Sequence, residues 1–117
     1  MHNNPVTYAI YITVIAPNGI RELLNITALI GMTLMDVLIK RGYRAPGICG
    51  GTGLCKACQV TVIAGVEKLN EPSEKELIML KVLGEVQENS RMACQMRVRP
   101  GMNGLIIKLE SKKIYKL

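Results

Sequence analysis

Four cysteines constrain this 117-residue chain more than any other feature. Three fall within residues 49–58, Cys-Gly-Gly-Thr-Gly-Leu-Cys-Lys-Ala-Cys, and Cys94 lies far downstream, a spacing of C-x5-C-x2-C-x35-C. Two thiolates separated by two residues can turn around one metal centre. The five-residue gap before them gives enough chain to pass around something larger than a single ion. A fold that uses all four must bring one short coil, Cys49 to Cys58, against one distant residue.

Glycines supply what such a coil needs. Gly50, Gly51 and Gly53 tolerate positive φ and let backbone N–H groups come close to an anion, and runs of such N–H groups form the concave anion sites found around iron–sulfur centres. Two ferric ions, two sulfides and four thiolates make a formal dianion, and one-electron reduction makes it a trianion. Thr52 can add a hydroxyl donor. Lys56, between two of the cysteines, would favour the more negative reduced state if it stays near, and is otherwise a solvated side chain.

Other uses of four cysteines fit less well. A structural zinc site usually draws its thiolates in short-spaced pairs on both sides, and Cys94 has no cysteine nearby. Disulfides would allow three pairings, but nothing at the N-terminus reads as a secretion signal that would point to an oxidising compartment. A Rieske centre needs two histidines, and His2 is the only one.

The segment from Cys49 to Cys58, the Cys94-Gln95 pair after Ser90-Arg91 and the 35-residue gap resemble the 2Fe–2S ferredoxins of the adrenodoxin (vertebrate and bacterial hydroxylase) type. Plant-type ferredoxins have a four-residue first gap; this chain has five. The resemblance runs over about residues 6–109. It implies that Cys49, Cys55, Cys58 and Cys94 ligate a 2Fe–2S cluster, cradled by Gly50, Gly51, Thr52 and Gly53. Many relatives carry histidine after the third cysteine, where this chain has Gln59, an amide able to take over a polar link from cluster loop to core.

Along the chain, patterning describes an α+β domain with a mixed sheet, and the resemblance implies a β-grasp (ubiquitin-like) sheet. One domain, 1–117, is expected, with its core at about 6–109 and a short basic tail at 110–117. Residues 6–16 alternate with Val6, Tyr8, Ile10, Ile12 and Val14 on one face, the period of a half-buried strand. That stretch is too short to cross a bilayer and lacks a basic n-region and cleavage site. Pro17-Asn18-Gly19 is a turn, and Ile20, Leu24 and Ile26 mark the returning strand's inner face. Thr33 with Asp36 opens a helix whose Leu34, Val37 and Leu38 share a face, and Gly42 closes it. Residues 59–64 are β-branched and should form a central strand.

Ser73, with Glu76 completing a capping box, opens a second helix whose inner stripe reads as Leu77 and Leu80. Residues 85–93 are an irregular connection to Cys94. A short strand at 95–99, a turn at 100–104 and a strand at 105–109 make a closing hairpin. Without Trp or Phe, aliphatic residues and seven methionines must fill the core. Met92 and Met96, flanking Cys94, are expected to keep water from it, whereas Met79 and Ile78, if exposed, would form a contact patch.

A centre closed by four protein thiolates offers no site for substrate, so the expected role is a low-potential one-electron carrier, on the order of −400 mV for related plant-type clusters, and not an enzyme. The resemblance implies a flavoprotein reductase as donor and a monooxygenase or iron–sulfur assembly system as acceptor. A redox-sensing or zinc-stabilised interaction module is the alternative. A monomer in the bacterial cytoplasm is expected, or in an organelle matrix of mitochondrial type after processing.

Charge departs from the family, whose members are typically acidic and dock partners through acids on the second helix. This chain is +6 with a pI near 9.3. Residues 67–88 hold six glutamates against three lysines, while the remainder carries twelve basic residues against three acidic ones. The positions that look equivalent to the main docking acids are Ile78 and Lys81. With no recognition motif and no stacking aromatic set, the basic surface does not indicate nucleic acid. Lys112, Lys113 and Lys116 read as a solvated tail, with only weak attraction to an anionic membrane surface.

Overall fold

Alternation along the first strand is realised as drawn from the sequence. In the computed structural model, which describes residues 9–44, 59–84, 87–110 and 115–116, β1 (Tyr11–Ile15) buries Ile12 and Val14 completely, continuing the face begun by buried Ile10. Each such side chain contributes roughly 1.5–3 kcal/mol on leaving water. Gly19, at φ +88°, donates to the Ala16 carbonyl at 2.8 Å and turns the chain into β2 (Arg21–Asn25), paired antiparallel to β1. Leu24 and Ile26 point inward; Ile20, expected beside them, sits in the turn and is exposed.

Thr33 caps α1 (Leu34–Lys40), its Oγ1 accepting from the Asp36 N–H at 3.1 Å. Leu34, Val37 and Leu38 are buried, with Met35 beside them. Gly42, at φ +98°, ends the helix, and its N–H donates to the Ile39 carbonyl at 3.0 Å. The chain then enters β3 (Tyr43–Arg44).

The main sheet has the order β2-β1-β6-β4-β5, where β4 is Gln59–Ala64, β5 is Ser90–Met92 and β6 is Ile106–Leu109. β4 is an interior strand as expected, although β6 takes the middle place, parallel to β1 and antiparallel to β4. That insertion removes the closing hairpin, because β6 spends both edges on β1 and β4. Residues 93–95 instead form a 3₁₀ turn, and 96–98 run beside the entry to α1 through a bridge between Thr33 and Arg97. The connection expected at 85–93 likewise gives way at its end to strand β5.

Ser73 caps α2 (Glu74–Leu83), its Oγ accepting from the Glu76 N–H at 3.1 Å. The reciprocal half of the capping box is absent. Glu76 is instead fully buried, and the helix faces inward through Glu76, Met79 and Leu80, leaving Leu77 exposed. Of the two residues considered for a contact patch, Ile78 is exposed and Met79 is not. The tail also differs from expectation, since β7 (Tyr115–Lys116) pairs antiparallel with β3. No helix among the described residues is long and apolar enough to cross a membrane.

Candidate metal centre

β4 and β5 set the frame of the site. Their antiparallel register pairs Gln59 with Met92, and opposite Cα atoms in such a ladder stand roughly 4.5–5.5 Å apart. Gln59 follows Cys58 directly in the chain, and Cys94 lies two residues past Met92. The ladder therefore ends where one cysteine-bearing segment enters and another leaves. Consecutive Cα atoms are only about 3.8 Å apart, so this end of the sheet has Cys94 and the chain from Cys58 within a few covalent steps of one another.

Cys94 sits in the 3₁₀ turn Ala93–Gln95 and is 6% exposed. Met92, Ala93 and Met96 around it are wholly buried, as the sequence led us to expect of the two methionines. The turn is held from both sides. Behind it, the Leu34 N–H at the start of α1 donates to the Met96 carbonyl at 2.7 Å, the Gly31 N–H donates to the Val98 carbonyl at 2.9 Å and the Val98 N–H to the Met32 carbonyl at 2.9 Å. In front of it, β5 is fixed to β4 by the ladder.

Two features escaped the sequence. The Gln95 side-chain amide donates to Cys94 Sγ at 3.6 Å, a contact that favours negative charge on the sulfur. The second is a buried ion pair. Arg91 donates through Nε to Glu76 Oε2 at 2.6 Å and through Nη2 to Oε1 at 3.0 Å, and its Nη1 donates to the Asn70 carbonyl at 3.0 Å. Glu76 Oε2 also accepts the Met92 N–H at 2.9 Å. Among the described residues β5 is an edge strand with no neighbour beyond it, and the α2 carboxylate satisfies the donor that a further strand would have taken. A buried acid spaced three residues from a serine was the available signal, but capping chemistry offered a local explanation first.

Gln59 is buried, and its amide donates to Ser90 Oγ at a long 3.4 Å, while Ser90 Oγ also accepts the Gln87 N–H at 2.8 Å. The amide thus makes the polar link considered for it, from the residue after Cys58 to β5. On the other side of the loop, Tyr43 is buried and its hydroxyl donates to Glu22 Oε1 at 2.7 Å. Burial first, then that bond and the nearby carboxylate charge, hold the phenol well above its ordinary pKa. Cys49, Cys55 and Cys58, with Gly50, Gly51, Thr52, Gly53 and Lys56, lie outside the described residues, as do Lys112 and Lys113.

What is described fits an iron–sulfur centre. Cys94 is held on a fixed turn, in surroundings dry on the protein side, with an N–H donor aimed at its sulfur, and Cys58 precedes in the chain the residue that opens β4 at the same sheet end. The family model described as a 2Fe-2S iron-sulfur cluster binding domain matches residues 21–99. Putidaredoxin of Pseudomonas putida is 30% identical over 102 residues, 85% of this chain and 94% of that protein. A ferredoxin from Rhodopseudomonas palustris HaA2 has a similar structure, with a TM-score of 0.74 at 28% identity over 88% of this chain and 98% of that one. Putidaredoxin as seen in a covalent complex with putidaredoxin reductase gives 0.67 at 27% identity, over 85% of this chain and 96% of that one.

Proposed function

The chain belongs to the 2Fe–2S ferredoxins of the adrenodoxin type, and from that premise we propose that Cys49, Cys55, Cys58 and Cys94 are the four ligands, with Gly50, Gly51, Thr52 and Gly53 forming the cradle. The protein is a one-electron carrier and not a catalyst. When bound, the cluster supplies single-electron chemistry. The residues of this chain fix its surroundings. Met92 and Met96 exclude water from one side, Gln95 donates to a ligand sulfur, and the β4–β5 ladder with the Glu76–Arg91 pair keeps the ligand turn from shifting when the charge changes.

The observation that carries the ligand assignment is the register of Gln59 with Met92, which supports convergence of Cys58 and Cys94 at one end of the sheet. One chain holds a complete set of four cysteines, which supports action as a single domain and a monomer. Putidaredoxin's covalent complex with its reductase supports a flavoprotein reductase as the electron donor here. A haem monooxygenase or an iron–sulfur assembly system is the acceptor class we favour. The bacterial cytoplasm is the compartment, in keeping with a relative from Pseudomonas putida and with the reduced thiols that ligation needs.

Cys94→Ser tests the assignment. The purified variant is expected to lose iron and sulfide, or to keep a cluster whose absorption spectrum and potential are displaced. Met96→Leu should leave both near wild type. A Cys94→Ser protein with full iron content and an unaltered spectrum would remove Cys94 from the ligand set.

A further inference from the structure

Three cations gather along the segment that leaves the Cys94 turn. Residues 96–99 run extended, and because Val98 is buried, its neighbours Arg97 and Arg99 emerge together on the solvent side, as alternation along an extended backbone requires. Arg97 donates through Nη1 to the Gly31 carbonyl at 2.8 Å, and Arg99 through Nη2 to the Lys68 carbonyl at 3.2 Å. Lys68, exposed at the end of the 3₁₀ turn Val66–Lys68, gives its own Nζ to the Asn103 carbonyl at 2.6 Å. Each charge is thus held in place by a backbone oxygen.

No acid neutralises them. Glu67 precedes Lys68, and Asp36 lies in the first turn of α1, which the bridge between Thr33 and Arg97 adjoins; among the described residues neither they nor any other carboxylate ion-pairs with the three cations. An arginine with one arm tied to a carbonyl keeps further N–H donors for a carboxylate and loses less side-chain freedom on binding than a loose one. Ile30, beside Gly31, is 54% exposed and adds an apolar contact at the edge of the strip. Position matters as much as charge. Arg97 follows Cys94 by three residues, which span at most about 11 Å of chain, and Gln95 between them is half-buried. The protein surface therefore comes close to the sulfur we assign to the cluster.

We infer that Arg97, Arg99 and Lys68 form a docking strip for a redox partner protein whose contact face is acidic, its carboxylates meeting the two guanidinium groups and the ammonium. The inference rests on the carrier reading and specifies the charge of the partner. Charges at such a surface act chiefly on the rate of association and weaken with salt, so the strip gathers and orients the partner rather than holding it. A complex formed there sets the partner against the turn that carries Cys94.

The test follows, by stopped flow, electron transfer from the dithionite-reduced full-length holoprotein to cytochrome b5, an acidic haem protein, and to hexaamminecobalt(III), a trication. Arg97→Gln/Arg99→Gln is expected to lower the second-order rate to the cytochrome about tenfold at low ionic strength, with the difference vanishing as salt rises, and to raise the rate to the cobalt complex. Arg97→Lys/Arg99→Lys keeps the charge and should keep most of the cytochrome rate. Arg21→Gln/Lys108→Gln removes two exposed cations from β2 and β6 and should change that rate less than twofold, which separates the strip from net charge. The inference is overturned if Arg97→Gln/Arg99→Gln leaves the cytochrome rate unchanged, if it slows both oxidants alike, or if the control pair has an equal effect. It is also overturned if the variant abolishes binding of a duplex DNA oligonucleotide while cytochrome reduction stays at the wild-type rate. A wild type that takes one electron from dithionite but passes none to the cytochrome overturns the inference alone; failure to take that electron overturns the carrier reading as well.

Discussion

Gln95 stands next to Cys94, the ligand we propose, and aims its amide at that sulfur. A donor there favours the reduced, more negative state, so hydrogen bonds to sulfur raise the potential. Taking a net hydrogen bond of about 0.5–1 kcal/mol and 59 mV per tenfold for one electron, Gln95→Leu should lower the potential by about 20–40 mV in a spectroelectrochemical titration. An unchanged potential would mean that the contact does not bear on the cluster. Tyr43 makes a different kind of prediction. Its phenol is held above the ordinary value of about 10 in the folded protein, so above that pH the unfolded chain releases a proton that the native chain keeps. The associated stability is complete below pH 10 and declines as pH rises past it. Urea midpoints measured between pH 9 and 11 should fall more steeply for wild type than for Tyr43→Phe; parallel curves would contradict this. At this scale the four cysteines stand out in the sequence because their spacing is itself the signal for the ligand set we propose. Gln95 was visible only as part of a resemblance, since where an amide points depends on a turn that sequence does not specify.

The two helices were legible to different degrees for a physical reason. In α1 the apolar residues keep helical spacing and match the buried face. In α2 six of ten residues are apolar, so no stripe stands out, and the inner face is set instead by Glu76, which Arg91 and the Met92 N–H draw inward. Glu76→Ala would strand a buried guanidinium and an edge-strand donor together. Removing one partner of a buried pair costs about 3–5 kcal/mol, and urea unfolding should register a loss of that size. The Glu76→Ala/Arg91→Ala double variant should lose less than the sum of the single variants, because the two side chains act as a unit. A loss under about 1 kcal/mol for Glu76→Ala would show that the pair does not hold α2 to β5. Strand pairing was the least legible part. The strand expected at 95–99 failed because its intended partner, β6, is enclosed on both edges, a fact of topology that local alternation cannot carry.

Over the whole molecule, the β-grasp sheet followed from resemblance more than from pattern, which alone reached only a mixed α+β sheet. What the main sheet does for function is collect ends, setting the start of β4, which follows Cys58 in the chain, beside the end of β5, which leads to Cys94. The separation of charge between residues 67–88 and the rest was readable from composition, but the exposure of Leu77 within that acidic region was not, because Leu77 read as core. The most direct measurement is reduced-state EPR of anaerobically purified protein, together with iron and sulfide analysis. Iron and sulfide in equal amounts, two of each per chain, and a rhombic spin-half signal integrating to one electron per molecule are the expected results. Zinc without sulfide, or a reduced protein with no such signal, would contradict the four-thiolate centre on which the account stands.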